Sequence, residues 1–145
     1  MRNQKGSVMK FAVIVGLVCL VLSACEKLPT GDLRKNNELV KKGEQIYKTH
    51  CLICHKAKGV GAKNWRKKDK QGILPPPPLN GTAHTWHHKR KYLIDFIKNG
   101  SPMGESIMPA WKSRLSNMQI IAVIAYIQSL WPEEIYQEWL KIEQR

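Results

Sequence analysis

No stretch of this sequence alternates apolar and polar residues convincingly with period two, which argues against a β-rich fold. Long hydrophobic runs are also missing. The apolar segment from Phe11 to Leu22 covers about a dozen residues, short of the roughly 20 that a membrane-spanning helix needs. Acidic residues are scarce, 11 against 24 Lys and Arg, and the formal charge is +13. Cysteine is scarcer still: Cys19, Cys25, Cys51 and Cys54. A bridge between Cys51 and Cys54 would close too few residues to constrain the unfolded chain, so a structural disulfide explains them poorly.

What is present begins with an export signal. Arg2, Lys5 and Lys10 precede the apolar run, and no acidic residue accompanies them. A basic start followed by a short apolar core reads as a secretory signal peptide. The run ends in Leu22-Ser23-Ala24-Cys25, which resembles the bacterial lipobox. That resemblance implies cleavage before Cys25, lipidation of Cys25 and attachment to a membrane through lipid without a spanning helix. The competing reading is an ordinary signal peptide cut after Ala24, with Cys25 merely nearby. Cys19 falls within the segment to be removed. The expected organisation is a signal peptide over 1–24, a lipid-anchored tether over 25–36, a folded domain over 37–131 and a helical extension over 132–145. Pro29, Gly31 and polar neighbours give the tether its composition.

Within the domain, apolar spacing predicts a helix over 37–50, carrying Leu39, Ile46 and Tyr47 on one side. Residues 56–72 are rich in glycine and lysine and read as a surface loop, and Pro75 to Pro78 must be extended. A second helix is predicted over about 89–99, stopped by Gly100. A third starts after Ser116, where Ser116 and Gln119 match a capping box, and it is apolar nearly all round. A last amphipathic helix follows Pro132; the sequence does not decide whether it packs on the core or offers a docking surface. The fold class is mainly α.

Chemistry concentrates in His50-Cys51-Leu52-Ile53-Cys54-His55. Cys51 to His55 is C-x-x-C-H, the pattern of c-type haem attachment. Thiols one helical turn apart can add to two vinyl groups on one porphyrin edge, and the following histidine can supply an axial nitrogen. Zinc would need a second ligand pair. His84 and His88 have usable spacing, but the interval from Cys54 is far longer than in a zinc finger and contains the prolines. A thioredoxin-like redox pair would need a preceding strand, where a helix is predicted. Haem is favoured, and export agrees with it. Met108 in the loop between the second and third helices is the favoured sixth ligand of the iron; Met103 is its rival in the same loop. His50, which ends the first helix, is given no ligand role.

These residues resemble the class I monohaem c-type cytochromes of bacteria, over about 37–130. Gly43 and Tyr47 stand eight and four residues before Cys51, as in that family, where they pack against an aromatic on the last core helix, here Tyr126. The resemblance implies three core helices around one haem c per chain, bound covalently by Cys51 and Cys54, with His55 and Met108 as iron ligands. Pro77-Pro78-Leu79-Asn80-Gly81 matches a family segment whose proline carbonyl orients the haem histidine. Pro77 would take that role, Leu79 would pack on the haem, and Trp86 would approach a haem propionate. His84, His87 and His88 are expected to be solvated or structural.

The function expected is membrane-tethered electron transfer by an electron carrier that is not an enzyme and has no catalytic residue. The alternatives are a peroxidase- or gas-sensor-type haem protein with a labile sixth ligand, and a fixed haem subunit of a larger oxidase or dehydrogenase. The domain is expected on the periplasmic side as a monomer. Basic residues crowd 56–70 and 87–91. They would steer redox partners with acidic docking surfaces. Export disfavours nucleic acid as a partner despite the charge.

Overall fold

Residues 29–102 and 106–145 are described by this computed structural model, and their regular structure is entirely helical. The helices are α1 (Asn37–His50), the single-turn α2 (Leu52–His55), α3 (Arg90–Asn99), α4 (Asn117–Ser129) and α5 (Glu133–Glu143). Short 3₁₀ turns cover Leu33–Lys35, Ala57–Gly59 and His84–His87. The expected signal segment, Cys25 and Met103 lie outside the described residues. No helix among the described residues is long and apolar enough to cross a membrane.

Local chemistry sets the helix ends. Asn36 caps α1 by accepting from the Leu39 amide at 3.0 Å. The capping box predicted for α4 forms: Ser116 Oγ accepts from the Gln119 amide, and Gln119 Oε1 accepts from the Ser116 amide at 2.8 Å. Gly100 ends α3 at φ 75°, in the left-handed region that glycine occupies without strain.

The core is built on α4, whose buried residues include Ile120, Val123, Ile124 and Ile127. Burial of each such side chain contributes about 1.5–3 kcal/mol. Helix α1 crosses α4 at Gly43, where a Cβ would run into the Ala122 carbonyl. That close approach lets Tyr47, 1% exposed, meet the Tyr126 ring at 5.1 Å between centroids.

Helix α5 answers the question its sequence left open. Its Tyr136 and Trp139 are fully buried in one cluster with Tyr47, Val123, Ile127 and Trp131. Trp139 Nε1 donates to the His88 carbonyl at 2.9 Å. The segment expected to be a loose tether is also corrected over 31–36. Leu33 is buried against Leu39, Ile121 and Ala125, because its side chain fills the gap beside the α1–α4 crossing. Arg34 stacks 3.2 Å from the centre of the Tyr136 ring and pairs with Asp32 and Glu133.

Candidate haem site

Cys51 ends α1, its amide donating to the Tyr47 carbonyl at 2.8 Å. The Cys54 and His55 amides then donate to the Cys51 carbonyl, which forms the turn α2. Cys51 and Cys54 are free thiols, half-buried, and both line one cavity together with His55. Burial pushes the Cys51 thiol up to about 11.

The chain then turns back sharply. Lys56 and Lys58 hold positive φ angles of 64° and 54°, uncommon for residues with a Cβ. Tyr47 Oη donates to the Lys56 carbonyl at 2.8 Å and holds the turn. Gly59 and Gly61 continue it, with bonds from the Leu79 amide to Gly59 and from the Ala62 amide to Pro76. These bonds lay the proline run beside the cysteine turn. At Gly61 a Cβ would collide with the Pro77 and Pro78 backbone, so only glycine fits.

The result is a contact of 3.1 Å between His55 Nδ1 and the Pro77 carbonyl. A carbonyl can only accept, so Nδ1 carries the proton and Nε2 of the neutral ring keeps its lone pair. Burial lowers the His55 pKa, partly opposed by the bond to Pro77. The neutral form is therefore the one this pocket favours.

Met108 also lines the cavity, from the segment after α3. The Ser101 amide donates to its carbonyl at 3.0 Å, and the Trp111 amide donates to Ile97. A Cβ on Gly100 would lie 2.6 Å from the Met108 carbonyl, so this glycine lets the loop seat against the end of α3. Leu79 lines the cavity as well, its carbonyl held by Trp131 Nε1 at 2.8 Å. The remaining wall is largely apolar, with Phe96, Ile97, Val123, Ile124 and Ile127 prominent, and the cavity measures about 720 Å³. That is within the usual range for cofactor pockets, about 300–1,000 Å³. Among the described residues, no group of three or more His, Cys, Asp or Glu is arranged to hold a metal ion, so Cys51, Cys54, His84 and His88 do not form a zinc site.

Residues 38–127 match the family described as cytochrome C oxidase, cbb3-type, subunit III. The chain belongs to this cytochrome family. It is also 26% identical over 108 residues to the chloroplastic cytochrome c6 of Chlamydomonas reinhardtii. That match covers 74% of this chain and 66% of the relative, so the chain spans just under two thirds of the relative's length. No solved structure matches.

The cytochrome has the class I fold, mainly α, and its cofactor is covalently bound haem c with its iron. The residues present fit that group: two free thiols one turn apart, a neutral histidine with one nitrogen free, and an apolar cavity containing all three. Two expectations need correcting. Trp86 does not line the cavity; it packs against the cluster of Trp131, Tyr136 and Trp139, with its ring 3.9 Å from that of His87. Trp65, Arg66 and His84 line the cavity instead, with Trp65 and His84 at 5.7 Å between ring centroids. No spacing in the lysine-rich loop marks Trp65 or Arg66. His50 also returns to the site. Its ring lies 5.1 Å from Trp111 and both line the cavity, so the end of α1 touches the methionine segment.

Proposed function

We propose that this cytochrome is a membrane-tethered, one-electron carrier in which His55 and Met108 would hold the haem iron. The contact between His55 Nδ1 and the Pro77 carbonyl carries this reading, because it leaves Nε2 as the available donor in the cavity that Met108 also lines. Bound haem supplies the Fe(II)/Fe(III) couple. Cys51 and Cys54 would hold the group through thioether bonds. Pro77 orients His55 and strengthens it as a donor. Leu79 and the aliphatic residues of α4 keep water from the cavity, while Trp65, Arg66 and His84 offer polar atoms at its edge. The signal peptide over 1–24 and lipidation of Cys25 place the domain on the extracytoplasmic side of a bacterial membrane. Lys56, Lys58, Lys63, Arg66, Lys67, Lys68 and Lys70 are all exposed and steer an acidic redox partner.

The test is the optical spectrum of protein produced with haem-maturation machinery. A pyridine haemochrome of c-type, with the weak ferric charge-transfer band of a sulfur–iron bond, is expected. Met108→Ala abolishes that band and Met103→Ala leaves it; the reverse result moves the ligand to Met103, and absence of covalent haem overturns the assignment. The family's description as an oxidase subunit supports a second form of the same reading, a fixed haem relay within a larger oxidase. Co-purification with a partner at high salt separates the fixed relay from the mobile carrier.

A further inference from the structure

The structure fixes where the chain departs toward its N-terminus. Leu33 is 2% exposed, buried against α1 and α4. Arg34 is held by Asp32 and Glu133 at 3.0 Å and by the Tyr136 ring. One step earlier, the Gly31 carbonyl accepts from Arg90 Nη2 at 3.2 Å. Gly31 is thus bound at the start of α3, and the Arg34–Glu133 pair sits at the start of α5. The chain toward Cys25 leaves from there.

Three exposed lysines neighbour in sequence the residues that fix that point. Lys35 closes the 3₁₀ turn that Arg34 anchors, and Lys89 and Lys91 flank the arginine that holds Gly31. None of the three joins an ion pair among the described residues, whereas the Arg34 charge is matched by Asp32 and Glu133. Glu143 is engaged by the Arg90 amide at 2.8 Å. Only five residues separate Cys25 from Gly31, six chain steps that reach about 20 Å at full extension. An acyl chain on Cys25 would hold Gly31 within that reach of the lipid surface, and lysines beside it feel the surface charge when they come within about 10 Å, one Debye length at 0.1 M salt.

We propose that Lys35, Lys89 and Lys91 form a face that rests on anionic phospholipid headgroups and holds the haem domain against the bilayer in one orientation. This rests on the lipidation of Cys25 proposed above. Each lysine near an anionic surface gives about a fivefold preference.

The test is amine footprinting of the full-length holoprotein in vesicles of phosphatidylcholine alone or with phosphatidylglycerol, read by mass spectrometry. In the anionic vesicles Lys35, Lys89 and Lys91 should be modified at least about threefold more slowly than in neutral ones. Lys67 and Lys68 should be modified equally in both, and high salt should remove the difference. Lys89→Glu with Lys91→Glu should end the protection of Lys35 and leave the optical spectrum unchanged. Equal modification in both vesicles, or protection of Lys67 and Lys68 to the same degree, would overturn the orientation while leaving the anchor in place. An unmodified Cys25 in the N-terminal peptide would overturn the anchor reading and the orientation with it.

Discussion

Two glycines with similar positive φ angles separate conformational strain from collision. Gly61 and Gly72 have φ of 67° and 80°, but a Cβ meets the Pro77 backbone at Gly61 and nothing within 4 Å at Gly72. Gly72→Ala should therefore lose only the left-handed penalty, about 1–2 kcal/mol. Gly61→Ala should lose that and also push the proline run off His55. Urea unfolding of the two holoprotein variants should show the larger midpoint loss for Gly61→Ala, together with a raised reduction potential as the His55–Pro77 bond weakens. Similar losses, with no change in potential, would mean that the Gly61–Pro77 contact does not hold the histidine. Single residues were unevenly legible in the sequence. Cys51, Cys54 and His55 follow from spacing, and Pro77 from a resemblance that the 3.1 Å contact matches. Trp65, Arg66 and His50 carry no such mark. Their place on the cavity depends on how the 56–72 loop and the end of α1 fold back, which no local pattern encodes.

At the scale of elements, α1, α3 and α4 were legible almost to the residue because caps and periodicity agree there. Helix α5 was legible as a helix but not as core. An amphipathic face shows that something covers it, not what. Trp139 shows how far α5 is integral: it is fully buried, lies 5.2 Å from Tyr136 and 5.9 Å from Trp131, and bonds His88. Trp139→Ala should cost about 3–5 kcal/mol. It also removes the donor to the His88 carbonyl, loosening the wall formed by His84 and His88. Thermal unfolding should show the lost stability, with the c-type spectrum retained at low temperature. A loss below about 1 kcal/mol would place α5 outside the cooperative unit, as an appended helix.

For the whole molecule, charge is unevenly spread, with seven basic residues and one acid, Asp69, between 56 and 70. Such a patch acts on encounter rates more than on stability. Electron exchange with an acidic partner should slow steeply as salt rises, and Lys67→Glu with Lys68→Glu should flatten that dependence without shifting the urea midpoint. An unchanged salt slope in stopped-flow reduction would place docking on another face.

Stability against pH reads a different set of groups, those joining the N-terminal segment to α5. Arg34 donates to Asp32 and lowers its pKa below 3.8 in the folded chain. The folded state then binds the proton less readily than the unfolded one, so the Asp32 contribution is complete above that value and is lost as pH falls through the folded pKa. Tyr136 behaves in the opposite sense. Burial, then the Asp32 carboxylate, pushes its hydroxyl up from 10.0 to about 12. Its contribution is complete below pH 10 and is lost as pH rises toward and through 12. The urea midpoint should therefore decline on both sides, and one carboxylate links the two limbs. Asp32→Asn should remove its share of the acid limb and also shrink the alkaline limb, which then ends at lower pH, because Tyr136 loses a negative neighbour and its folded pKa falls. Tyr136→Phe should remove that group's alkaline share and keep most of the acid limb, since Arg34, the largest cause of the lowered Asp32 pKa, still pairs with Asp32 while the smaller contribution of the Tyr136 hydroxyl is lost. If Asp32→Asn changed neither limb, the contacts of Asp32 and Arg34 with Glu133 and Tyr136 would not be part of the unit that unfolds cooperatively, and residues 31–36 would behave as the free tether that their composition first implied.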